Sequence, residues 1–127
     1  MTTQEVAKKL VELCRNGENL KAINELYAEH ILSVEPYGAQ VKEVEGKQAV
    51  IEKELQFFGM IKEVHLSEVS DPLVADNFFS VRMKMIMTLK GLGRINRDEI
   101  CVYQVENGEI VREEFFFTPA PIAVSLN

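Results

Sequence analysis

Long apolar runs, surplus positive charge and metal-binding side chains are all scarce in this chain of 127 residues. No apolar stretch approaches the ~20 residues that a membrane-spanning helix needs. The N-terminal MTTQEVAKKLVELC interleaves Glu5, Lys8, Lys9 and Glu12 with its apolar residues, so it lacks the apolar centre of a signal peptide. Acidic residues outnumber basic ones by 20 to 14, for a net charge of -6. That field repels nucleic-acid phosphates and anionic membrane surfaces, and neither is expected as a partner. The two cysteines, Cys14 and Cys101, have no C-x-x-C spacing and are expected in the core, which fits a reducing, cytoplasmic setting. His30 and His65 have no E-x-x-H or H-x-H spacing, so no metal site is expected. Gly91-Leu92-Gly93 lacks the helix and lysine of a phosphate-cradling loop, and no serine nucleophile elbow occurs.

What the chain does have is the make-up of an ordinary globular domain. Its 46% apolar and 27% charged residues suffice for a core without staples, and one domain over residues 1–127 is expected. Thr2-Thr3-Gln4-Glu5 has capping-box spacing, and Val6, Leu10, Leu13 and Cys14 follow at helical intervals. Asn16-Gly17 stops this helix, and Leu20, Ile23, Leu26 and Tyr27 share one side of a second. The polar face of the pair is mixed in sign, which argues against a DNA-reading hairpin. Ile31 to Glu35 reads as a strand, because it contains branched residues and ends at Pro36, which holds Glu35 out of the helical region. Gly46 opens a third helix, Lys47 to Phe58, with Gly59 as its cap.

From there the period changes to two. Residues 63–69 form a weak strand, Ser70-Asp71-Pro72 a turn, and Phe78 to Leu89 a long strand in which Phe79, Val81, Met83, Met85, Met87 and Leu89 share one face. Lys90-Gly91-Leu92-Gly93 breaks it. Glu99 to Glu106 and Glu109 to Phe117 then flank Asn107-Gly108, a strong signal for a two-residue hairpin. Helices early and strands late make an α+β domain rather than an alternating one. A two-residue turn pairs Glu106 with Glu109, Val102 with Glu113 and Tyr103 with Arg112. Both faces of this hairpin mix large apolar groups with charge, so one is expected toward a pocket and the other toward a second subunit.

Three stretches, "LYAEHILSVEPYG", "VEGKQAVIEKELQFF" and "VYQVENGEIVREEFFF", resemble in their order and spacing the nuclear transport factor 2-like superfamily. Within it the match is to SnoaL-like and ketosteroid-isomerase-like domains, over nearly the whole chain. The resemblance implies a cystatin-like fold, in which a cone-like curved antiparallel sheet packs against three helices from the N-terminal half. A pocket inside the cone and a homodimer through the outer sheet face are also implied. It places Glu113, Phe115 and Phe117 inward, an assignment that a one-residue bulge would reverse.

In ketosteroid-isomerase-like domains the acidic residue directly before a proline at the end of the first strand is the general base. Here that position is Glu35. A carboxylate in an apolar cavity has its pKa raised toward the working pH, so it can take and return a proton. The isomerase's tyrosine and protonated acid, which donate to the enolate oxygen, have no counterpart: Leu10 or Val11 stands at the first position and Cys101 or Val102 at the second. Tyr27, Tyr37, Tyr103 and Glu113 are left as polar partners, with Glu113 and Glu35 as an acid/base pair. The pocket is expected to be lined by Tyr27, Tyr37, Phe57, Met83, Met85, Val102, Phe115 and Phe117, the methionines forming a deformable wall. The implied function is that of a cofactor-independent isomerase, cyclase or hydrolase acting on a small apolar metabolite; a non-catalytic ligand-binding or dimeric interaction domain is the alternative. After Thr118-Pro119-Ala120-Pro121, the apolar Ile122 to Leu126 is expected to pack on the sheet or on a partner.

Overall fold

The computed structural model describes residues 1–39 and 41–119, so the expected packing of Ile122 to Leu126 lies outside the described residues. Helix α1 (Thr3–Arg15) starts where the capping box predicts. The Thr2 hydroxyl accepts from the Glu5 N–H at 3.1 Å and the Glu5 carboxylate accepts from the Thr2 N–H at 2.8 Å, which satisfies donors that a helix start otherwise leaves unpaired. Val6, Ala7, Leu10, Val11, Leu13 and Cys14 form its buried face. Gly17, at φ +74°, takes a conformation that glycine alone adopts without a Cβ penalty and turns the chain into α2 (Asn19–Leu26).

The rest of the chain follows as β1 (Tyr27–Val34), β2 (Glu43–Glu45), α3 (Lys47–Met60), β3 (Ile61–Val69), β4 (Leu73–Ala75), β5 (Phe78–Leu89), β6 (Gly93–Glu106) and β7 (Glu109–Phe116). The sheet order is β2-β1-β7-β6-β5-β3, with β4 attached to β5. All pairings are antiparallel except β1 with β7. This is the expected α+β architecture, a curved antiparallel sheet packed against three helices. The Phe79 and Tyr103 rings stack with centroids 4.7 Å apart, and Val6, Leu10, Ile31 and Ile110 are buried in the same core. Each such side chain contributes about 1.5–3 kcal/mol by leaving water.

Several boundaries differ from the sequence reading for local reasons. Tyr27 is not the last residue of a helical stripe; its extended backbone (ψ 140°) passes α2 directly into the sheet. Gly59 lies inside α3 rather than capping it. Strand β6 begins at Gly93, well before Glu99, because every residue from Gly93 to Asp98 finds a partner on β5 even though the segment lacks apolar alternation. Arg82 and Asp98 add a two-pronged ion pair across it, at 2.9 and 2.8 Å. Strands β2 and β4 are too short to leave a pattern.

The last hairpin holds the deviation that matters for the site. Asn107 and Gly108 both have positive φ (+51° and +78°), so the two-residue turn forms and Glu106 pairs with Glu109. Val105 then pairs with Ile110, but Gln104 pairs with Arg112, which leaves Val111 as the extra residue of a β-bulge. The bulge reverses which β6 residues accompany the acid: Tyr103 stands opposite Glu113 and Cys101 opposite Phe115. Val102 pairs with Glu114 instead of Glu113 and faces the other side, so its expected place in the pocket wall is wrong. Glu113 and Phe115 themselves face inward.

Candidate functional site

A cavity of about 680 Å³ lies between the sheet and the helices, within the range of small-molecule sites. Register aligns its sheet wall in rows. Met83 lies beside Glu99 and Met85 beside Arg97 across β5 and β6, and Tyr103 borders the cavity at its inner end. Helix α3 faces these rows with Val50, Lys53, Glu54 and Phe57, residues spaced three and four apart and therefore on one face. Glu35, Glu113, Phe115 and Phe117 complete this side of the wall.

The polar groups at the inner end form one hydrogen-bonded chain. The parallel pairing of β1 with β7 sets Ser33 beside Glu113. The Ser33 hydroxyl donates to Glu113 Oε2 at 2.6 Å, and the Tyr27 hydroxyl donates to Glu113 Oε1. Lys53 Nζ donates to Ser33 Oγ at 2.7 Å and to Glu35 Oε1 at 2.8 Å, and it lies 5.1 Å from the centre of the Phe115 ring, a cation–π contact. Lys53 is thus bound directly to Glu35 and, through one serine, to Glu113. Glu35 sits just past β1, its N–H held by the Lys42 carbonyl at 2.8 Å, and its side chain is 20% exposed.

Burial governs the electrostatics. Glu113 is 2% exposed; desolvation raises its pKa, opposed by the Lys53 charge and the bonds from Ser33 and Tyr27. Burial also raises Tyr27 well above the ordinary phenol value, and the neighbouring Glu113 charge adds to the effect, so Tyr27 stays a donor. Glu54 is pushed up to about 7, first by burial and then by Glu113. Glu99 is also pushed up to about 7, by burial, with Arg97 opposing. The cavity therefore carries two carboxyl groups that titrate near neutrality. Cys14 is pushed up to about 12 by burial, which makes it a core thiol rather than a nucleophile.

Glu35, Glu113, Tyr27, Phe57, Met83, Met85, Phe115 and Phe117, all singled out in the sequence, border this one cavity. Two others do not. Tyr37 is 92% exposed, because it lies in the loop after Pro36 rather than on the strand, and Val102 is turned away by the bulge. Sequence reasoning missed Ser33, Lys53 and Arg97. Ser33 shares a strand face with Ile31 and, just past β1, Glu35, and Lys53 falls on the stripe that carries Val50, Glu54 and Phe57; both signals were present as charged or polar interruptions of apolar faces. Among the described residues no group of three or more His, Cys, Asp or Glu side chains is arranged to hold a metal ion. His65 instead contacts Thr88 Oγ1 at 2.7 Å on the neighbouring strand. No helix of the described residues is long and apolar enough to cross a membrane.

Comparison with known proteins agrees with this architecture. A family model described as the SnoaL-like domain matches residues 1–117. Among solved structures, a Mesorhizobium loti protein provisionally named a SnoaL-like polyketide cyclase is 34% identical, with 92% of this chain and 100% of that chain covered and a TM-score of 0.87. A nuclear transport factor 2-like protein of unknown function from Burkholderia pseudomallei is 16% identical, covers 93% of this chain and 92% of its own, and has a TM-score of 0.76. A protein with a ketosteroid isomerase-like fold from Catenulispora acidiphila, solved in complex with trimethylamine, is 16% identical over 90% of this chain and 85% of its own, at a TM-score of 0.70. The last two likenesses are of fold alone. A search of the curated proteins found no match. With the family model spanning every described element, this chain belongs to the SnoaL-like domain family.

Proposed function

We propose that the cavity binds a small apolar molecule and moves a proton on it next to a carbonyl, as a cofactor-independent isomerase or cyclase would. The observation that carries this reading is the Lys53 ammonium held at the cavity wall between Glu35 and the Ser33–Glu113 pair. Glu35 is the base; only its Oε1 is bound among the described residues, so Oε2 can take a proton from carbon. Lys53 has three N–H groups, of which two are used, and the third can stabilise the negative charge that develops on the carbonyl oxygen. This cation takes over the work of the absent tyrosine and acid donors. Glu113 is a positioning residue: it orients Ser33 and thereby Lys53. The same reading includes a homodimer through the outer sheet face, where Ile100 and Phe116 are partners in register and half-exposed; sedimentation that yields only a 14.4 kDa species would count against it.

The test is α-hydrogen exchange in heavy water, followed by NMR over a panel of small apolar ketones and β-keto esters. Wild-type protein should accelerate exchange on at least one of them. Glu35→Gln should lower that rate by about 100-fold or more and Lys53→Met by a similar factor. Binding of panel members without any exchange would instead support a non-catalytic ligand-binding domain.

A further inference from the structure

Arg97 is a cavity cation that the acid/base chain leaves out, and unlike Arg15 and Lys84, which also border the cavity, it is stacked on aromatic rings. Its guanidinium carbon lies over two aromatic faces, 4.8 Å from the Phe57 ring centre and 4.6 Å from that of Phe117. Three other arginines hold carboxylates: Arg15 with Asp71 at 2.9 Å, Arg82 with Asp98 at 2.8 Å and Arg112 with Glu114 at 3.1 Å. Arg97 borders the cavity and has neither a hydrogen-bond acceptor nor an ion-pair partner among the described residues. Aromatic faces hold the guanidinium plane without using its N–H groups, so its hydrogen-bonding edge is left for something else.

We infer that Arg97 anchors the carboxylate of an apolar monocarboxylic acid bound in the cavity, and so selects the substrate class. This rests on the cavity being a ligand site, as proposed above. A guanidinium presents two parallel N–H groups that match one carboxylate. Met85 stands beside Arg97 in register and Met83 two pairs further in, on the same face, so the body of the acid lies along methionine and then against Phe115. Phe115 pairs with Cys101, about 13 Å of strand from Arg97, and carries Lys53 over its ring. The acid is therefore held at one end while its other end reaches Lys53 and Glu35. Glu99, Glu54 and Glu35 line the same space, and their presence favours a single negative charge over a phosphate dianion.

The experiment is calorimetric titration with straight-chain acids from hexanoic to dodecanoic acid, the matching amides and the matching alkyl phosphates. At least one acid should bind wild-type protein tenfold or more tighter than its amide and its phosphate, the gain that a charge-assisted pair gives. Arg97→Met keeps the apolar stem against the rings; it should abolish the preference for acid over amide by lowering acid affinity tenfold or more, and Arg97→Lys should restore part of it. Acid and amide binding equally would overturn the anchor and leave the cavity reading standing. Tighter phosphate binding would overturn the carboxylate assignment, and no binding by any arm would overturn the anchor, while the exchange test on ketones and β-keto esters decides the cavity reading separately. Equal binding of acid and amide by wild-type protein overturns the anchor without any variant, and Arg97→Lys, which keeps the charge but not the paired N–H groups, tests the assignment to Arg97 if Arg97→Met does not fold.

Discussion

At the inner end of the cavity Tyr27, Ser33 and Glu113 are buried and hydrogen-bonded to one another, whereas at the outer end Phe57, Met85 and Phe117 are only half-buried and gather round Arg97. Buried polar groups must be satisfied, because an unpaired one costs about 1–3 kcal/mol, and satisfying them fixes their positions. The inner end is accordingly rigid in chemistry and the outer end adaptable in shape. In the proposal made above, reaction geometry belongs to the first and ligand selection to the second.

Cutting one side chain at each end should expose the difference. Glu113→Ala removes the acceptor shared by Tyr27 and Ser33 and empties a buried site, and we expect a loss of about 2–4 kcal/mol in urea unfolding. The next effect is set by pH. Glu54 and Glu99, pushed up to about 7 in the folded protein, titrate near 4.5 when unfolded, so the folded state holds protons that the unfolded state has released. Their contribution is fully present below pH ~4.5 and is lost as pH rises through ~7, by up to about 3 kcal/mol for each group. Glu113, raised in the same direction, adds to the trend. Urea unfolding at pH 5 and pH 8 should therefore show lower stability at pH 8, and Glu54→Gln or Glu99→Gln should flatten the difference. Met85→Ala at the outer end, where a cavity already exists, should cost less than about 1 kcal/mol, although ligand affinity falls. Tyr37→Ala should change neither stability nor ligand binding within error, since that ring meets solvent; a loss of binding would bring the loop after Pro36 back into the site.

The same contrast explains what could be read from the sequence. Helices α1 and α3, the methionine alternation of β5 and the Asn107-Gly108 turn are local patterns, and local patterns specify elements. Glu35 was legible because a proline follows it. Ser33, Lys53 and Arg97 were not, because each acquires its partners from an element distant in sequence: Ser33 through a parallel strand pairing, Lys53 through a helix laid over β1, and Arg97 through rings from α3 and the end of β7. The error over Val102 has a different source. Its face depends on a bulge, and nothing in the run of residues from Glu109 to Phe117 marks which one is unpaired.

That bulge bears on how this strand is compared with others. Ile110 is fixed by the turn and Glu113 by its place opposite Tyr103, so the two ends of β7 keep their own phase and the residue between them is surplus. A relative lacking one residue here would still aim its acid at the same cavity, although length changes are ordinarily tolerated only in loops. Gap-free alignment of β7 with such a relative would set Glu113 against a residue of the opposite face. In that case the acid is matched correctly only when a one-residue gap is opened inside the strand.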